Sequence, residues 1–89
     1  MALNKTFTIT NKQGLHARPA ALFVKVANRY QSEIWVTKDG EEVNGKSIMG
    51  LMMLAAGHGE AVEVSIDGDD AAEAMAEIER LVIGGFTPN

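Results

Sequence analysis

In the stretch "GLHARPA", Gly14–Ala20, a histidine stands two residues before an arginine and three before a proline, and an apolar run follows. Proline is tolerated in the first turn of a helix, where its missing amide has no intrahelical acceptor to lose. A helix is therefore expected from about residue 17, with His16 at its mouth. The first amides of a helix lack partners and the macrodipole's positive end lies there, which favours the uncharged, nucleophilic imidazole. Were a phosphoryl group attached to a ring nitrogen, those amides and the Arg18 guanidinium would be placed to hydrogen-bond its oxygens. A histidine that simply caps the helix occupies the same position, and Arg18 alone is equally a solvated helix charge. The two residues by themselves leave a covalent anion carrier and a plain helix start both open.

Other chemistry is sparse. His58, in "AAGHGE", reads as a residue of a glycine-flanked loop. Two histidines without carboxylates at ligand spacing make no metal site. The chain has no cysteine, hence no disulfide framework and no thiolate zinc site, which agrees with a reducing compartment. No cofactor is expected, and neither is a phosphate-cradling loop, a dinucleotide fingerprint or a nucleophile elbow. With 89 residues there is little room for a substrate pocket, so one exposed nucleophile suits handing a group between larger partners better than turnover of its own.

The elements that must position His16 follow from periodicity. Leu3, Lys5, Phe7 and Ile9 alternate with polar residues, which predicts a strand over about 3–10; Ala20, Phe23, Val24 and Ala27 predict a helix over about 17–29. Ile34 and Val36 mark a second strand, "KDGE" a hairpin turn, and residues 41–44 a short third strand. "SIMGLMML" reads as a short helix capped by Ser47, apolar almost all round and closed by the glycines of "AAGHG". Val62, Val64 and Ile66 give a fourth strand. Ala71 to Val82 carry an amphipathic stripe behind a capping-box-like Asp70 and Glu73, with Gly84 and Gly85 at its end. The order β-α-β-β-α-β-α predicts an α+β fold: an antiparallel four-stranded sheet with three helices on one face, in one domain spanning 1–89.

The net charge of −4 conceals +5 over residues 1–32 and −9 over residues 33–89. A basic N-terminal third can steer an acidic or phosphorylated partner, while the acidic whole is a poor ligand for nucleic acid; an unevenly charged, solvated surface is the plainer alternative. A small sheet-based module for RNA or protein is the competing class. One tryptophan and one tyrosine serve it poorly. No run is long and apolar enough to span a bilayer and the N-terminus lacks a signal-peptide pattern, so a cytoplasmic protein is expected.

"GLHARPA" together with "NGKSIMGLMML", Asn44–Leu54, resembles the HPr family, the histidine phosphocarrier proteins of the bacterial phosphoenolpyruvate-dependent phosphotransferase system. The resemblance covers nearly the whole chain and implies that family's open-faced β-sandwich. It implies that His16 accepts phosphate from Enzyme I and passes it to an Enzyme IIA domain, with Arg18 stabilising the phosphate, so that the chain is a covalent carrier and not an enzyme in the usual sense. It further implies regulatory phosphorylation of Ser47 by HPr kinase/phosphorylase, although a serine N-cap would look the same. Ala17, Ala20, Ile48, Met49 and Met52 are expected to meet partners, the last three as an exposed apolar patch beside His16, since so short a helix cannot bury every side. The implied carrier is a monomer without metal. "NKQGLHARPA", "LMML" and the terminal "GGFTPN" are also similar to the nitrogen-related branch, NPr, which stands as the alternative.

Overall fold

The computed structural model describes residues 2–87. Pro88 and Asn89, which end the "GGFTPN" segment, lie outside the described residues. In chain order the elements are β1 (Ala2–Thr8), α1 (Ala17–Ala27), β2 (Glu33–Lys38), β3 (Glu41–Asn44), α2 (Ile48–Met53), β4 (Ala61–Asp67) and α3 (Ala71–Ile83). The four strands form one antiparallel sheet in the order β1-β4-β2-β3. The expected α+β order and open sheet are those of the structure.

Strand alternation decides which face is covered. Phe7, Val62, Val64, Ile66, Ile34 and Val36 point to the helices and are buried, while Thr6 and Glu63, paired across β1 and β4, lie on the open face. Phe23 and Ala27 of α1, Leu51 of α2, and Ala74, Ile78 and Val82 of α3 close over that apolar floor. Each large side chain buried this way contributes on the order of 1.5–3 kcal/mol, which makes this layer the main source of stability.

Element ends depart from the sequence reading in instructive ways. β1 stops at Thr8, but Ile9 continues an irregular pairing, its amide donating to the Glu60 carbonyl at 2.9 Å while its carbonyl accepts from the Gly59 amide at 2.8 Å. α2 ends at Met53, and Ala55, at φ 52°, takes the left-handed turn expected of the glycines beyond it. α3 closes as foreseen: Gly85, at φ 70°, lets the Gly85 and Phe86 amides reach back to the Val82 and Leu81 carbonyls, and Phe86 folds into the core.

A pattern missed in the sequence is "GEEVNGKS", Gly40–Ser47, which has the spacing of a phosphate-cradling loop. The structure removes that meaning. Gly40 sits with Asp39 in the hairpin turn, both at positive φ, residues 41–44 pair with β2, and Lys46 Nζ donates to the Tyr30 carbonyl at 2.8 Å.

Asp70 is a second correction. It stands at the N-cap of α3, yet its side chain makes no capping bond. Its carboxylate instead accepts from the Ser32 hydroxyl, from the Gln31 amide at 2.8 Å and from the Ser32 amide at 3.0 Å, pinning the loop between α1 and β2. Glu77 of α3 adds a parallel tie by accepting from Arg29 and from the Tyr30 hydroxyl, and this bond raises the Tyr30 pKa above its ordinary value.

The Ser32 hydroxyl, then the Gln31 amide, hold the Asp70 carboxyl below its ordinary range. A carboxyl depressed in the folded state contributes its stability above the unfolded value and loses it as pH falls through the folded one. Asp70→Asn should therefore melt below the wild type at pH 7, and the gap should narrow on acidification to pH 2. Melting temperatures followed by circular dichroism over that range test this, and parallel curves would refute it.

Candidate functional site

The His16 loop is built by a close approach of two backbones. Asn11 and Gly14 close a turn, with the Gly14 amide donating to the Asn11 carbonyl at 3.2 Å and Asn11 Nδ2 to the Gly14 carbonyl at 2.7 Å. Gly14 adopts φ 68°, and a Cβ there would lie 2.4 Å from the Ala56 carbonyl oxygen and 2.8 Å from Gly57 Cα. Only glycine satisfies both conditions. The next residue, Leu15, is buried and donates its amide to the Ala56 carbonyl at 2.8 Å. Gly14 and Leu15 thus weld the approach to α1 onto the segment that follows α2.

That segment is itself held from β2. Lys38 Nζ donates to the Leu54 and Ala55 carbonyls at 3.2 and 3.3 Å and lies 3.3 Å from Glu60. The ammonium meets the carbonyl end of α2, where a positive charge is favoured. Glu60 accepts from the Gly57 amide at 2.6 Å, and this bond, followed by Lys38, holds its carboxyl below the ordinary value.

On this base His16 takes the N-cap position of α1 with extended backbone, φ −82° and ψ −174°, and its carbonyl accepts the Ala20 amide at 2.8 Å. Its side chain is exposed and makes no capping bond. The first helical amides, Ala17 and Arg18, consequently have no side-chain cap, and Pro19 has no amide to offer. The imidazole lines a shallow depression of about 320 Å³ with Gln13, Leu15, Met52, Ala55, Ala56 and Gly57. Arg18 borders a neighbouring depression of about 360 Å³ with Lys12, Gln13 and Gly85–Thr87. The structure therefore brings His16 together with Met52 in one hollow and places Arg18 in the neighbouring one, with Gln13 lining both.

The remaining expected residues separate clearly. Ala17 is exposed, whereas Ala20 is 0% exposed in the core, so its side chain is not a surface for partners. α2 buries Leu51 alone, and Ile48, Met49 and Met52 are 43, 74 and 41% exposed. Met53, not singled out in the sequence, is 68% exposed and widens the patch. Ser47 is a true N-cap, its hydroxyl oxygen accepting from the Gly50 amide at 3.0 Å. His58 sits in an exposed loop, and among the described residues no cluster of metal ligands occurs and no helix is long and apolar enough to cross a membrane.

Another depression, about 390 Å³, lies elsewhere, between α1 and α3, and is bordered by Lys25, Arg29, Arg80 and Glu77. It holds no nucleophile suited to neutral pH, whereas the smaller hollow holds His16. Its cations do continue the basic surface of α1 away from Arg18. Gly14, Lys38 and Glu60 are the site residues that sequence reasoning missed. A glycine two residues before the histidine was the one available signal, since Lys38 and Glu60 reach the site only through the fold.

An exposed imidazole at a helix mouth, with amides and a guanidinium nearby, can take on and release an anionic group without a pocket or cofactor. Comparison with known proteins points the same way. The family model PTS-HPr, "PTS HPr component phosphorylation site", matches residues 3–83. The phosphocarrier protein HPr of Neisseria meningitidis is 51% identical over 84 residues, 94% of each chain. The HPr-like protein Crh of Halalkalibacterium halodurans is 53% identical over 82% of this chain and 87% of its own. A crystal structure of HPr from Thermoanaerobacter tengcongensis superposes with a TM-score of 0.93 at 47% identity, covering 98% of both chains. An HPr dimer from that organism also matches, over 92% of this chain and 94% of its own at 49% identity and a TM-score of 0.78, so the expectation of a monomer gains no support.

Gly14→Ala should lower stability by about 1–3 kcal/mol, because alanine is strained at that φ and its methyl displaces the Ala56 carbonyl. Hydrogen exchange locates the damage: the Leu15 amide should lose protection before amides of β4 do. Unchanged protection at Leu15 would mean that the weld is not needed.

Proposed function

The chain belongs to the PTS-HPr family, and from that membership we propose that it carries a phosphoryl group on His16 within the phosphoenolpyruvate-dependent phosphotransferase system. A ring nitrogen of His16 attacks the phosphorus held by phosphorylated Enzyme I. The nitrogen–phosphorus bond forms as the bond to Enzyme I breaks, and the released electron pair stays with Enzyme I. The second transfer runs the same way, with an Enzyme IIA domain as nucleophile and His16 as leaving group. The supporting observation is the exposed, uncapped imidazole at the mouth of α1.

Each transfer concentrates charge on the phosphoryl oxygens, and the Ala17 and Arg18 amides with the Arg18 guanidinium are the donors in reach of that charge. Because Arg18 borders the neighbouring depression, its side chain turns towards His16 as the phosphoryl group arrives. Ala17 and the apolar face of Ile48, Met49, Met52 and Met53 form the docking surface on this reading, and the basic residues of α1 draw acidic partners towards it. The relatives compared above carry the names HPr and Crh, which lends nothing to the nitrogen-related alternative.

Regulation through Ser47 by HPr kinase/phosphorylase is part of the same proposal. A phosphate there adds close to two negative charges at the start of α2, next to the exposed apolar residues. The fold tolerates an anion at a helix start, so its effect falls on docking.

His16→Ala should fold normally and take no acid-labile phosphate from phosphoenolpyruvate and Enzyme I; labelling of the folded variant would sink the assignment. Arg18→Ala should lower the maximal transfer rate by about a hundredfold with a smaller effect on half-saturation. A raised half-saturation at unchanged maximal rate would give Arg18 a docking role instead. Ser47→Asp should raise the Enzyme I concentration needed for half-maximal transfer by about tenfold with an unchanged circular dichroism spectrum. Equal curves for mutant and wild type would reduce Ser47 to its capping bond.

A further inference from the structure

The methionines of α2 are largely exposed, unlike the methionine of α3. Met49 and Met53 are 74 and 68% exposed and Met52 is 41% exposed, whereas Met75 of α3 is 6% exposed. Positions 49, 52 and 53 are three and four residues apart and share one face of the helix, and Met52 lines the same hollow as His16. The chain contains no cysteine, so no thiol competes for an oxidant and the thioethers are its most readily oxidised side chains.

We propose that Met49, Met52 and Met53 form a reversible oxidation site, modified by hydroperoxides, that switches off docking at the His16 face; the proposal rests on the phosphocarrier reading. In the reaction a thioether sulfur attacks the terminal oxygen of a hydroperoxide. The sulfur–oxygen bond forms as the oxygen–oxygen bond breaks, the sulfur loses two electrons, and the departing oxygen takes a proton to become water or an alcohol. The product sulfoxide carries a strong dipole and accepts hydrogen bonds. Pressed into an apolar contact without a donor, it opposes association, and three such groups stand on the exposed face of α2. The fold is spared because α2 is anchored elsewhere: by Leu51 in the core, by the Ser47 cap and by Lys38 at its carbonyl end.

The test treats the whole protein with hydrogen peroxide, maps sulfoxides by peptide mass spectrometry over time, and measures phosphate acceptance from phosphoenolpyruvate and limiting Enzyme I. Met49, Met52 and Met53 should oxidise before Met75, and the initial rate should fall at least about tenfold with an unchanged circular dichroism spectrum. Methionine sulfoxide reductases of both epimer specificities should restore it, which separates this modification from damage to His16. In a protein carrying Met49→Leu, Met52→Leu and Met53→Leu together, the ratio of treated to untreated rate should stay near one, whatever its own starting rate.

Full transfer by protein oxidised at all three positions would overturn the proposal and leave the carrier reading standing, as would oxidation of Met75 at the same rate as the patch. An untreated chain that accepts no phosphate would fail the carrier reading itself, and the switch with it.

Discussion

The close contact between the turn at Gly14 and the backbone of Ala56 and Gly57 is the constraint on which the site depends. It joins two segments more than forty residues apart and places the start of α1 beside the end of α2, so that a nucleophile and an apolar surface belong to one face. A side chain at position 14 would separate them. The stability of the core is indifferent to where His16 points; the site depends on about one Cβ's worth of space. Lys38 and Glu60 serve the same end from the other side, fixing residues 54–60 as a wall that does not give way when the loop before α1 leans on it.

Charge is divided along the same line. Lys12, Arg18 and Lys25 lie just before and on α1, while Lys5 and Arg29 are paired with Glu79 and Glu77 of α3, and Glu63 and Asp67 stand on β4, with Glu63 on the open face of the sheet. A molecule of net charge −4 therefore presents a positive surface around the start of α1. On the proposed reading, such a separation would orient an encounter and the apolar patch would supply contact once the faces have met.

How far the sequence could be read depended on the range of the interaction. Strand alternation, the Asp39–Gly40 turn, the Ser47 cap and the Gly85 closure are decided by neighbours in the chain, and each was legible there. His16 and Arg18 were legible as residue types, and their roles came from resemblance. Asp70 was misread because its local pattern fits a capping box, while a buried serine 38 residues earlier competed for its carboxylate and won. Ala20 was misassigned because a helix start gives no sign of which side faces the core. The pattern at Gly40–Ser47 carries the opposite lesson: a spacing associated with phosphate means nothing when its residues are committed to a hairpin.

The order β1-β4-β2-β3 governs when this protein can exist. Thr8 pairs with Ala61, and β4 lies between β1 and β2, so neither pairing can form until the sixth of the seven elements has been made. Until β4 is available the preceding residues can pair only within the β2–β3 hairpin, which leaves the apolar side of β1 without its neighbouring strand. Residues 61–83 then supply both the missing central strand and α3. Truncation anywhere before β4 therefore yields no smaller carrier, only a chain whose nucleophile is present and whose site never assembles.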